Sequence, residues 1–321
     1  MLNWHSGRDL HYWFMYYFCS MHLSLLHRFT GHTGSVYSLE SGPEPDTFFS
    51  GAGDKVVAKW NLNLKADGDL IARALDAVYS LKYLKSKNQL LLGQGKGGVH
   101  VIDLAGNKEL RLLQLHEGPV FSIGFCSTHH LLFTLGGDGV VAILNESDFS
   151  VVQRLRITEK KLRAISFHPD GDLALLGCGD GSIVLLELPT LKILDRFQAH
   201  ALDFSVNALC FSPDGRSFLS GSRDAHLHLY ETASLKLMEA IPAHNFSIYD
   251  IAFDPSGMFF ATASRDKTVK TWDFSTMGVL ERLEGNDGKG HINSVNKLLW
   301  LENGTLLSAG DDRAIQAWVR K

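Results

Sequence analysis

One frame recurs seven times along this chain, and a seven-fold repeat limits the possible folds more tightly than composition does. Its clearest copy is Ala263-Ser264-Arg265-Asp266-Lys267-Thr268-Val269-Lys270-Thr271-Trp272-Asp273: a polar corner, an alternating run and a closing Trp-Asp. The corner residue falls at Asp54, Lys96, Asp138, Asp180, Asp224, Asp266 and Asp312, at intervals of 42, 42, 42, 44, 42 and 46. Six positions after it stands Trp60, Ile102, Leu144, Leu186, Tyr230, Trp272 or Trp318, always large and apolar. Period-two alternation marks strands, and turns such as Ser212-Pro213-Asp214-Gly215 and His168-Pro169-Asp170-Gly171 mark reversals. Each unit therefore reads as four short antiparallel strands. No stretch carries a long helical period.

A period of about 40–45 residues, with a Gly-His and a Trp-Asp per unit, is the signature of a propeller blade. The chain resembles the WD-repeat family of seven-bladed β-propellers. Gly31-His32, Gly290-His291 and Trp272-Asp273 match that family's motif literally; Leu115-His116, Ala199-His200 and Ala243-His244 keep the His, and repeats 2 and 4 lack it. The fold expected is all-β, a seven-bladed β-propeller over residues 21–321. The run Leu23 to Phe29 precedes the first Gly-His and reads as a fourth strand without its first three, while the last repeat ends after three. Pairing the two closes the ring and removes two exposed edges.

Residues 1–20 stand outside the repeat. They are rich in aromatics, too short to span a bilayer, and lack the aliphatic core and cleavage site of a signal peptide. Met21 sits directly before the first strand, so the segment reads as disordered or as a start assigned too far upstream. A formal net charge of −4 argues against general affinity for nucleic acid, and nothing suggests a membrane partner. Cys19, Cys126, Cys178 and Cys210 form no Cys-x-x-Cys pair and read as free thiols of a reducing, cytoplasmic compartment.

Ser, His and Asp could spell a hydrolase triad. Here the set recurs, whereas an active site would occur once. By resemblance, His32, Ser50, Asp54 and Trp60 form one hydrogen-bonded set, repeated by His244, Thr262, Asp266, Trp272 and by His291, Ser308, Asp312, Trp318. Indole only donates, hydroxyl donates and accepts, and imidazole links hydroxyl to carboxylate. Blades 2 and 4 lack the set, must rely on apolar packing, and blade 2 is the expected weak point. Two other motifs dissolve. The formal Gly-x-Gly-x-x-Gly at Gly93–Gly98 aligns with a hairpin corner and precedes a strand, not a helix. His226 and His228 share a strand face, but no third metal ligand is evident; no metal and no cofactor are expected.

Family resemblance puts binding on the narrow face, at the start of each inner strand and just before the corner. The carried-over inner-strand position is Tyr37, Tyr79, Phe121, Arg163, Asn207, Tyr249 and Asn296. Tyr249, Tyr37, Tyr79 and Phe121 then make an aromatic arc broken only by Asn296, and Lys161, Arg163, Arg223 and Arg265 a basic arc over blades 4 to 6. Aromatic and Arg side chains supply most interface hot spots. The bland account is that Tyr37 and Tyr79 merely pack on each other. The favoured function is a non-catalytic scaffold, a monomer or a subunit of a larger assembly, holding a protein or peptide that is apolar and acidic or phosphorylated. One rival is a hydrolase or lyase working in the channel, for which only Asp311 supplies a carboxylate at the carried-over positions. Another is a core subunit of an RNA-processing or chromatin-associated complex.

Overall fold

The computed structural model describes residues 22–64, 68–285 and 290–321. The segment 1–20, the start at Met21 and part of the connection from Leu283 to His291 lie outside those residues. Seven four-stranded antiparallel sheets follow one another, with no α-helix among the described residues. Six sheets are built from consecutive strands. The seventh takes Val295–Trp300, Leu306–Gly310 and Ile315–Arg320 from the C-terminus and Leu23–Phe29 from the N-terminus. That joint runs antiparallel from Leu23↔Arg320 to Phe29↔Ile315, and Arg28 adds an ion pair to Asp312 at 3.3 Å. The ring is therefore closed by its own two ends.

Seven apolar clusters hold the blades together, one at each interface. Phe29, Phe48 and Trp60 pack with Leu307 and Ile315 between blades 7 and 1. Leu84, Val99 and Val101 meet Leu132, Leu144 and Phe149 between blades 2 and 3. Burying large apolar side chains between facing sheets is the main favourable term, worth about 1.5–3 kcal/mol for each one fully buried.

The corner has one backbone solution throughout. Lys55, Gly97, Gly139, Gly181, Ala225, Lys267 and Arg313, each directly after the corner residue, all have positive φ, between 63° and 89°. Gly97 is obligatory: a Cβ there would lie 1.8 Å from the His116 carbonyl oxygen. The glycines at 93–98 thus build a corner and the strand Gly98–Asp103.

The polar sets are joined as follows. In blade 1 the Trp60 indole donates to Ser50 Oγ at 2.7 Å, Ser50 meets His32 Nε2 at 2.7 Å, and His32 Nδ1 meets Asp54 at 2.9 Å. Blade 6 gives 2.9, 2.7 and 2.9 Å for Trp272–Thr262, Thr262–His244 and His244–Asp266. Blade 7 gives 2.9, 2.8 and 2.9 Å for Trp318–Ser308, Ser308–His291 and His291–Asp312. Because the carboxylate only accepts, Nδ1 carries the proton and Nε2 accepts from the hydroxyl. Blades 3 and 5 keep the hydroxyl, His and Asp: His116 with Thr134 and Asp138, and His200 with Ser220 and Asp224. In blade 5 Tyr230 donates instead to the Ala199 carbonyl at 2.8 Å.

Blade 4 corrects the expectation of apolar packing alone. Asp180 is ligated by Ser182 Oγ at 2.7 Å, Thr158 Oγ1 at 3.3 Å and Arg196 Nη2 at 2.5 Å, with Thr158 and Arg196 replacing the missing His. Blade 2 lacks the set: the Gln114 amide donates to the carbonyls of Lys96 and His116 at 2.8 and 3.0 Å, and the buried His100 Nδ1 pairs with Glu109 at 3.2 Å. Its compensation lies at the opposite end, where Lys87 Nζ donates to the Glu146 and Ser147 carbonyls of blade 3 at 2.5 and 2.6 Å.

Candidate functional site

One irregularity, repeated seven times, builds the candidate surface. Each inner strand slips register over its second residue: Val36 pairs with Ala52 and Ser38 with Gly51, leaving Tyr37 opposite nothing. The same slip isolates Tyr79, Phe121, Arg163, Asn207, Tyr249 and Asn296. A bulge of this kind bends the strand and re-aims the side chain it frees. All seven side chains line the axial channel, a cavity of about 730 Å³. Beside each bulge the pre-corner N–H donates to the first-position carbonyl, from Gly53 to Ser35 at 2.8 Å round to Asp311 to Ser294 at 2.9 Å. The carried-over positions therefore lie together on the face bearing the seven corners.

Three of the aromatics and one cation form a continuous ladder. Tyr37 and Tyr79 stack at 4.9 Å between centroids, Tyr79 meets Phe121 edge-on at 5.5 Å, and the Arg163 guanidinium lies 4.4 Å from the Phe121 centroid. Tyr249 lines the same channel beyond Asn296 but makes no ring contact among the described residues. Asn296 and Asn207 are inter-blade pins, donating to the carbonyls of Val36 at 3.1 Å and Ile248 at 3.0 Å in the neighbouring sheets. Burial pushes the Tyr79 hydroxyl's pKa up, with the Tyr37 hydroxyl and Asp76 adding to it, so Tyr79 stays neutral.

The basic arc is uncompensated. Lys161, Arg163, Arg223 and Arg265 form no ion pair among the described residues, although Lys160 next door pairs with Asp203 at 3.7 Å. Burial, then the charges of Arg163 and Arg223, hold the Lys161 ammonium's pKa below its usual value. The buried Arg163 Nε has no hydrogen-bond partner. Arg223 and Arg265 are exposed, each with its guanidinium 5.9 Å from a phenylalanine ring, Phe204 and Phe246 respectively. Neither Phe was singled out in the sequence, yet the signal was there. They precede Ser205 and Ser247, where the other blades carry Gly34, Asp76, Gly118, Lys160 and Asn293.

The channel holds more carboxylates than Asp311. Glu40 and Asp250 also line it, but Lys82 pairs with Glu40 at 2.8 Å and Lys297 with Asp250 at 2.9 Å. Asp311 accepts from Asn296 at 2.8 Å. The three are thus held by two lysines and an asparagine amide. His226 and His228 belong to a stack: His228 lies on His200 at 4.1 Å between centroids. Burial, together with the neighbouring His200 charge, pushes the His228 pKa down to about 4.

Comparison with known proteins agrees with this architecture. The WD domain, G-beta repeat family matches residues 23–61, 150–185, 191–231, 235–273 and 282–318, which fall in blades 1 and 4 to 7. The crystal structure of the WD40 β-propeller domain of Doa1 superposes with a TM-score of 0.83 at 18% identity, covering 94% of this chain and 98% of that one. Rat WD repeat-containing protein 81 is 24% identical over 212 residues, 62% of this chain and 10% of that protein. Bovine pre-mRNA-processing factor 19 is 27% identical over 109 residues, 34% of this chain and 22% of that protein. A zebrafish p21-activated protein kinase-interacting protein 1-like is 28% identical over 97 residues, 30% of this chain and 26% of that protein. The chain thus spans a tenth to about a quarter of these relatives' lengths.

Proposed function

Because the chain belongs to the WD-repeat family of β-propellers, we propose that it is a non-catalytic scaffold whose corner face holds a segment of a partner protein across the channel mouth. One observation carries the proposal: a ladder of bulge residues, Tyr37, Tyr79, Phe121 and Arg163, runs into a set of cations that form no ion pair with a carboxylate among the described residues. Stacked aromatics offer area at low entropic cost, and unpaired guanidiniums offer forks for carboxylate or phosphate groups. The segment is accordingly apolar where it crosses blades 1 to 3 and acidic or phosphorylated over blades 4 to 6. Propellers use this kind of surface without chemistry, and the lysine-paired channel carboxylates favour that use over hydrolysis.

The test is partner capture from the cells that express the protein. Tyr37→Ala, Tyr79→Ala, Tyr249→Ala and Arg265→Ala are compared with Lys87→Ala on the opposite face. Loss of the same partner in the first group and its retention in the last is the expected result. Retention in all five places the binding surface elsewhere.

A further inference from the structure

Blades 5 and 6 carry the same exposed device twice. Phe204 leads into the inner strand Val206–Phe211 and faces Arg223; Phe246 leads into Ile248–Phe253 and faces Arg265. The backbone around each pair is held alike. Ser222 Oγ donates to the Phe204 carbonyl and Ser264 Oγ to the Phe246 carbonyl, both at 3.1 Å. The Arg223 N–H donates to Ser205 at 3.0 Å and the Arg265 N–H to Ser247 at 2.9 Å. Phe204 and Phe246 are 40% and 56% exposed, so each leaves apolar area open beside its guanidinium. Blades 1 to 4 have Gly before the corner and blade 7 has Asp311, so the pairing of Phe with Arg is confined to two adjacent blades.

A guanidinium lying over a ring keeps its N–H edge free for an oxygen pair, while the ring beside it offers apolar area. Each pair therefore presents one positive charge and one apolar patch, which a carboxylate side chain next to an apolar one would match in charge and chemistry. We infer that the two pairs are tandem subsites for a single acidic protein segment bearing two such carboxylate–apolar units, one per blade. This rests on the corner-face reading above and names the register of its acidic half. Linking two weak contacts in one chain raises affinity by effective concentration, and equivalent subsites make the two contributions equal.

Synthetic fluorescent peptides test this by anisotropy at low and high salt. One carries two Glu-Leu units separated by two to four glycines, one carries a single unit, one replaces Glu by Gln, and one replaces Glu by phosphoserine. The doubled Glu peptide is expected to bind about tenfold or more tighter than the single one, with the gain lost at high salt. Arg223→Ala and Arg265→Ala are each expected to bring it back to the single-unit affinity, and Phe204→Ala and Phe246→Ala to act alike. Because all four side chains are at the surface, an unchanged melting temperature confirms that the variants are folded.

Equal affinity for doubled and single peptides, equal affinity for the Gln peptide, or indifference to both Arg variants overturns the inference. Tenfold preference for phosphoserine overturns the assignment to carboxylates. Partners captured from cells separate this failure from that of the broader reading. Release by Tyr79→Ala but not by Arg223→Ala with Arg265→Ala sinks only the tandem subsites. Retention in all of them sinks both.

Discussion

Blade 6 and blade 2 fold into the same four-stranded sheet by different means. Blade 6 runs a buried relay from Trp272 through Thr262 and His244 to Asp266, which also accepts from the Asn245 and Thr268 backbone at 3.0 and 3.1 Å. Blade 2 has Lys96 at the corner and Ile102 at the Trp position, with Leu90, Leu91 and Leu92 fully buried between its neighbours. Its polar hold is a clasp on blade 3: Lys87 on two carbonyls and 4.7 Å from the Phe149 ring, with Ser86 and His130 both bonded to the Glu146 carboxylate. A blade therefore forms without the relay. The relay adds a unique geometry at the corner, because every member is satisfied only when all are in place.

The largest test of that contrast is Asp266→Ala against Lys96→Ala. Removing Asp266 orphans several buried donors, each costing about 1–3 kcal/mol, so a loss of about 3 kcal/mol is expected. Lys96 is exposed, and its loss should stay within about 0.5 kcal/mol. Urea midpoints measure both, and equal shifts would erase the distinction. Acid gives the next largest effect. Burial holds the His116 and His244 pKa values below the usual 6.5, and His228 sits at about 4. Between those values the unfolded chain binds more protons, so the stability these groups lend is complete above pH 6.5 and is lost as the pH falls toward 4. Burial raises the Asp224 carboxyl, but the His200 hydrogen bond and charge outweigh it and leave the pKa at about 2, so a second loss begins below the usual 3.8. Hydrogen exchange should show blades 3, 5 and 6 loosening between pH 6.5 and 4 while blade 2 does not. Uniform loosening would contradict it.

A smaller effect belongs to the clasp. Lys87→Ala should cost about 1 kcal/mol, read as faster exchange in Gln89–Gln94 and Val140–Asn145. Unchanged exchange there would show that the clasp does not stabilise blade 2. The smallest effect is at the Lys267 corner, and Gly97 is its counter-case. Lys267 holds a left-handed φ of 73°, so Lys267→Gly should gain about 0.5 kcal/mol. Gly97→Ala in blade 2 should destabilise, because its Cβ has nowhere to go.

Much of this was legible in the sequence, and for physical reasons. Trp, Ser or Thr, His and Asp have few roles that fit one another, so their recurrence at fixed spacing identified the relays and the ring. Equivalent positions in consecutive blades are neighbours, which made the adjacency of Tyr37, Tyr79 and Phe121 readable. The substitute set of blade 4 was not, because Arg196 reaches Asp180 from the outer strand rather than from the His position. The bulges were hidden too, since an unpaired residue leaves the alternation of an inner strand nearly unchanged. Phe204 and Phe246 escaped because the comparison across repeats began one residue later, at Ser205 and Ser247.

The most direct measurement is a hydrogen-exchange footprint of the full chain with and without a captured partner. Protection should gather at the bulge residues from Tyr37 to Arg163 and at the Arg223 and Arg265 corners, with the hairpins of the opposite face unchanged. Protection confined to those opposite hairpins, Lys85 to Asn88 among them, would contradict a binding surface built on the corner face.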